Sequence, residues 1–212
     1  MTKLPLACLL CSLLAACGGD DDDDVDSNEE ARRAYLGLDL SIEKSLDLGM
    51  QGFREANSAN IDDQEGTGDE TGTIVVGGQV DQGSSDNKGL RLDVEMVEYS
   101  DGLVIIDVDE DGEEDDDDDL ELDITYDTDP ADLPHIELSL KNFTSNGTLE
   151  GTMLGTYTMT GDLEGTVTLD LSMAGDLTGS SAEDVSRAEG TTVVTGTATN
   201  DDGGVYDVDL TI

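Results

Sequence analysis

The sequence predicts a mainly β protein: an antiparallel meander curled into a barrel or folded into a two-layer sandwich, with one N-terminal helix. Three observations lead there. From Thr73 onward apolar residues recur with a period of two, as in Leu90, Leu92, Val94 and Met96 between Arg91, Asp93 and Glu95. Such alternation marks strands with one dry and one wet face, the habit of antiparallel sheets. Glycine turns punctuate the strands at Asp101-Gly102, Asn146-Gly147, Gly161-Asp162, Gly175-Asp176 and Gly203-Gly204. Links this short permit antiparallel neighbours and exclude parallel crossovers. Finally, GTLEG at Gly147, GDLEG at Gly161 and GDLTG at Gly175 recur every 14 residues, which fits one strand of about ten residues plus its turn.

Taken in order, the chain opens with an export-signal layout. Lys3 precedes an apolar run from Leu4 to Ala16, 13 residues long. A bilayer core needs about 20 apolar residues in a helix, so the run suits a cleaved signal and not a span. It ends in Leu14-Ala15-Ala16-Cys17, which resembles the lipobox of bacterial lipoproteins. The resemblance covers residues 1–24 only. It implies cleavage after Ala16 and a lipid on Cys17, and so attachment to a membrane through Cys17. Gly18 follows the cysteine, where an aspartate would imply retention at the inner membrane; by that resemblance the destination is the outer membrane. Cys8 and Cys11 form a CxxC within the segment to be removed, so the mature chain keeps Cys17 alone and no disulfide.

Residues 17–28 form an acidic tether in this reading. Asp20 to Asp24 repel one another and anionic headgroups, which keeps the segment extended. The domain proper is then residues 29–212. Removal of residues 1–16 takes away Lys3 and leaves 8 basic against 52 acidic residues, a net charge of −44. No basic patch can neutralise phosphates in such a chain, which excludes nucleic acid as a partner.

Residues 29–59 read as the single helix. Leu38, Ile42, Leu46, Met50 and Phe53 recur at helical spacing, with Tyr35 three residues earlier. A strand over 36–48 would place Lys44 on its apolar face. Residues 60–72, rich in Asp, Gly and Thr, read as a loop. The strands then fill 73–212, including 103–108, 120–126 and the C-terminal alternation of Tyr206, Val208, Leu210 and Ile212. In the second repeat Leu163, Val167, Leu169, Leu171 and Met173 share one face, while Glu164, Thr166, Thr168, Asp170 and Ser172 take the other. About nine strands with one apolar face must hide it, by closing into a barrel or by folding into two layers. Carboxylates throughout the other face exclude a lipid-facing transmembrane barrel.

Catalytic signals are sparse. His135 is the only histidine, no GxSxG nucleophile motif is present, and zinc ligands of the usual kinds are lacking. One stretch carries possible chemistry: DVDEDGEEDDDD. Asp107, Asp109, Asp111 and Gly112 match the D-x-D-x-D-G opening of a calcium loop, with Glu113 seventh and Asp118 twelfth. That spacing directs alternate oxygens to one centre, and Ca²⁺ is the cofactor it implies. The EF-hand pattern is departed from in three ways. Asp118 is shorter than the usual glutamate, Glu114 replaces an apolar residue, and strand patterns flank the loop. A solvated acidic connection is the plainer reading of the same residues.

Two functions of different class follow. One is a lipid-anchored cell-envelope protein whose β domain is a non-enzymatic binding or structural module, with an apolar ligand or an envelope protein as partner. The other is a calcium-binding structural or adhesive module using residues 107–118.

Overall fold

The computed structural model describes residues 24–106 and 120–212. Cys17 and the acidic stretch 107–118 lie outside the described residues. The expected fold class is what the chain adopts: N-terminal helix, then antiparallel sheet. The helical segment consists of α1 (Asn28–Leu36) and α2 (Asp39–Glu55). Ten strands make the main sheet: β1 (Asn60–Thr67), β2 (Thr71–Val80), β3 (Lys88–Ser100), β6 (Ile124–Asp127), β7 (His135–Lys141), β8 (Thr148–Gly161), β9 (Gly165–Thr178), β10 (Ser186–Arg187), β11 (Val193–Asn200) and β12 (Val205–Thr211). β4 (Val104–Ile106) and β5 (Leu120–Leu122) pair only with each other, as a separate ribbon.

The strand order is β1-β2-β3-β6-β8-β9-β11-β12, and every pairing is antiparallel. β6 and β7 share one column, because each pairs with β3 on one side and β8 on the other. β1 and β12 end the order and are not bonded to each other, so the sheet is partly ring-closed without being a complete barrel. The helices lie on its concave side. Tyr35, Leu38, Ile42, Leu46 and Met50 are buried there against Leu90, Leu92, Tyr126, Val167 and Leu169 in one continuous core. α2 approaches the sheet closely because it presents glycine where contact is tightest. A side chain at Gly49 would press on Leu90 and Leu92, and one at Gly52 would meet Ile61.

The helix begins at a capping box. The Ser27 hydroxyl accepts from the Glu30 amide at 3.2 Å, while the Glu30 carboxylate takes the Ser27 hydroxyl and the Asp26 amide. The expected single helix over 29–59 is broken at Gly37-Leu38. There the Leu38 amide donates to Tyr35 O instead of continuing the α pattern, which leaves the Ala34 carbonyl without its usual partner. The Tyr126 hydroxyl, from the sheet, donates to that carbonyl at 2.9 Å. Tyr126 also meets Tyr157 edge-on, ring centroids 6.3 Å apart. Gly37 makes the approach possible, since an added Cβ would fall against the Tyr126 hydroxyl.

Three expectations need correction. Residues 60–72 are not one loop, because β1 occupies Asn60–Thr67. A register shift between Ile61 and Gln64 breaks the period of two, and the acidic residues between them suit an edge strand, so the alternation is hidden. Gly175-Asp176 is not a turn: Gly175 pairs with Leu149 inside β9, and its bare Cα lets Thr192 cross close by. The turn falls later, at Gly179, whose φ is +118°. Third, the packed structure reaches upstream of residue 29, for Val25 is buried and its carbonyl accepts from Asn200 Nδ2 at 2.9 Å.

The Gly37–Tyr126 contact makes a testable pair. Tyr126→Phe orphans the Ala34 carbonyl and should cost about 1–2 kcal/mol. Gly37→Ala should cost about 1–3 kcal/mol through overpacking, despite alanine's better helix propensity. In the double variant the hydroxyl is gone, so the two losses should sum to less than their separate values by at least about 0.5 kcal/mol. Urea unfolding of the four proteins measures this, and strict additivity would contradict the contact.

Candidate functional site

One end of the sheet gathers the features with most chemical character. Register fixes that end: Tyr99 pairs with Tyr126, Tyr126 with Met159 and Met159 with Gly165. The N-terminal segment arrives here, with the Asp24 carboxylate beside Gly165 and Val25 held by Asn200. The β4–β5 ribbon leaves from the same end, just after β3. Val104 pairs with Leu122 and Ile106 with Leu120, so residues 106 and 120 stand opposite each other at the two ends of the acidic stretch. Strands therefore flank it, as the alternation predicted, and the paired helices of an EF-hand do not. On the ribbon and beside its root, Ile105, Leu103 and Val97 are exposed apolar residues.

The ribbon is rooted in a buried charge cluster. The Asp101 side chain is 1% exposed, and its carboxylate pairs with the Lys44 ammonium from α2. It also accepts from the Tyr99 hydroxyl at 2.5 Å and from the Asp69 amide at 3.2 Å. Lys44 has three partners: Asp101, the Asp69 carboxylate at 2.9 Å and the Thr67 carbonyl at 3.2 Å. One ammonium thereby ties α2 to the β1–β2 turn and to the end of β3. Burial alone would lower the Lys44 pKa, but Asp101 and Asp69 outweigh it and hold it above its ordinary value. Burial, with Asp101 beside it, likewise pushes the Tyr99 hydroxyl up, so it stays a donor.

A second ion-pair cluster lies where α2 starts. Arg187 donates to both oxygens of Asp39, at 2.7 and 2.8 Å, and through Nε to Glu43 at 3.1 Å. Tyr35 donates to Asp39 at 2.8 Å. This fork locks β10 against the helix. Burial raises the Glu43 pKa above the usual carboxylate value, an effect that Arg187 only partly offsets.

His135 opens β7 on the outer face. Its Nδ1 lies 2.9 Å from Asp93 Oδ1 and its Nε2 lies 3.4 Å from Glu137 Oε1. These contacts cross exposed strand positions, the arrangement of a surface histidine among carboxylates. Asp107, Asp109, Asp111, Glu113 and Asp118, expected from the sequence as calcium ligands, and Cys17, expected as the lipidation site, lie outside the described residues. Among the described residues no group of three or more His, Cys, Asp or Glu side chains is placed to hold a metal ion. None of the described helices is long and apolar enough to cross a membrane.

Sequence reasoning passed over both ion-pair clusters. A signal was present: with nine Lys and Arg against 52 acidic residues, each cation marks a position worth explaining. Lys44→Met should be costly for that reason. Removing one partner of a buried pair costs about 3–5 kcal/mol, and about 2–3 kcal/mol is expected here because the Lys44 side chain is 24% exposed. A raised folded pKa means that this stabilisation is complete at neutral pH and is lost as pH rises through that value. Thermal melts at pH 7 of both proteins give the difference; an unchanged melting temperature would remove Lys44 from this role.

The chain matches no protein-family model, no curated protein and no solved structure.

Proposed function

We propose that this chain is a bacterial lipoprotein of the cell envelope, anchored through lipid on Cys17 and directed to the outer membrane. Its β domain serves in this reading as a non-enzymatic binding or structural module. The observation that carries it is the junction between motif and fold. Val25, eight residues beyond Cys17, is already buried in the core. Eight residues span at most about 28 Å when fully extended, so an anchored domain would stay close to the bilayer. The concave apolar face is occupied by the chain's own helices, which leaves the acidic outer face and the chain-entrance end for contacts with envelope partners. Anchored in this way, the domain would turn the root of the β4–β5 ribbon toward the membrane.

The test is substitution of the cysteine. Cys17→Ser should abolish incorporation of labelled fatty acid and shift the protein from the membrane to the soluble fraction. Continued labelling of the variant would refute the anchor.

A second reading is favoured by one specific observation, the pairing of β4 with β5. Their register brings residues 106 and 120, which flank the calcium-like sequence, opposite each other. Eleven of the 13 residues from Asp107 to Asp119 are acidic, and Ca²⁺ would relieve their mutual repulsion by binding six or more oxygens. Asp107, Asp109, Asp111 and Asp118 would supply side-chain oxygens and Glu113 its position's carbonyl. Bound Ca²⁺ should stabilise the fold by about 2.7 kcal/mol at a hundredfold excess over Kd. Mg²⁺ or matched NaCl should do less, because diffuse screening has no geometric preference. The measurement is thermal melting with each ion, in the parent and in Asp109→Asn/Asp111→Asn. Equal stabilisation by all three ions would mean a solvated acidic connection.

A further inference from the structure

The start of α2, β10 and the crossing of residues 192 and 212 line an open pocket of about 460 Å³. The size is that of a small-molecule site. Its walls divide by chemistry. Leu40, Ala188 and Ile212 supply an apolar side, and Leu40 is 46% exposed, so this side opens to solvent. Asp39, Glu43, Arg187 and Glu189 supply the charged side.

The charges do not balance. Three carboxylates face one guanidinium, for a local net charge of −2. Arg187 is committed to Asp39 and Glu43 through Nε, Nη1 and Nη2, and Nη2 also reaches the Asp39 carbonyl at 3.1 Å. It is poorly placed to receive an anion. Asp39 already accepts three hydrogen bonds, two on Oδ1 and one on Oδ2, from Arg187 and Tyr35. What remains open is acceptor capacity: among the described residues Glu43 is bonded through Oε2 only, by the Arg187 amide and Nε, and no hydrogen bond engages the exposed Glu189 side chain. A ligand matching these walls must bring N–H donors with positive charge to one side and aliphatic carbon to the other.

We infer that this cavity binds a small amphipathic cation, a primary alkylammonium group with a short aliphatic tail. The ammonium lies between Glu43 and Glu189, and the tail lies against Leu40, Ala188 and Ile212. The site is independent of how the chain is anchored and of the residues between 107 and 118. Its apolar wall separates it from the general attraction of cations to a chain of net charge −43, because diffuse attraction takes no account of tail length.

The experiment uses the full chain in non-ionic detergent at about 0.15 M NaCl, where exposed charges more than about 8 Å apart are screened. Calorimetric titration compares ammonium, ethylammonium and butylammonium with neutral 1-butanol, in the parent and in Glu189→Gln, Glu43→Gln and Leu40→Ser. Binding should saturate at one site and tighten about two- to fourfold per methylene, the gain expected of partial to full burial. Glu189→Gln or Glu43→Gln should weaken butylammonium by about tenfold and bring it near 1-butanol. Leu40→Ser, which touches no ion pair, should flatten the dependence on tail length. Affinity independent of tail length, 1-butanol binding as tightly as butylammonium, or no change in any variant would each overturn the assignment.

Discussion

A sheet most of whose large apolar side chains project to one side cannot persist in water uncovered. Here the cover is α1 and α2 of the same chain, laid along the concave side. Curvature lets so little helix suffice, because a curled sheet wraps around its cover where a flat one would leave much of its face bare. The fit then depends on close approach, and that is set by the absence of side chains at Gly37, Gly49 and Gly52. Tyr126 completes the joint by taking the carbonyl released where the helix breaks.

The charge distribution follows from the same arrangement. With carboxylates excluded from the concave face, they fill the outer face, the edges and the connections. On β1 the acidic residues protect an open edge from pairing with another sheet. At β12 the Asn28 side chain accepts from the Asp207 amide at 2.9 Å, which occupies part of the other edge. The cations serve largely as fasteners. Lys44 joins α2 to two strand ends, Arg187 joins it to β10, and Arg54 reaches the Ala182 carbonyl at 2.6 Å. Lys88 sits over the Phe53 ring, 4.5 Å from its centroid, and donates to Gly83 O.

Both candidate sites arise at joints between helix and sheet. At one, the buried pair of Lys44 and Asp101 roots the ribbon that leads into the acidic stretch. At the other, the Arg187 fork leaves an apolar wall and unused carboxylate oxygens around a cavity. Joints of this kind bring together residues far apart in sequence; Arg187 and Asp39 are separated by 148 positions.

Residue order by itself determined the class of fold, the faces of the strands and the place of most turns. Leu90 to Met96 alternate visibly, and all four apolar members are buried as that alternation requires. The helical face was legible in the same way, through Leu38, Ile42, Leu46 and Met50, because periodicity is a local property of the chain. Tertiary structure decided what locality cannot express. At the helix break beside Gly37, the carbonyl of Ala34 finds its partner in Tyr126 of a distant strand. β1 is a strand because β2 offers it hydrogen bonds, although its own apolar pattern is interrupted by a bulge. Gly175 lies within a strand because Leu149 of β8 pairs with it, and its bare Cα leaves room for Thr192. The cluster of Lys44 with Asp101 and that of Arg187 with Asp39 and Glu43 likewise exist only once the sheet has curled around the helix, since ion pairing depends on separation in space and leaves no period in the sequence.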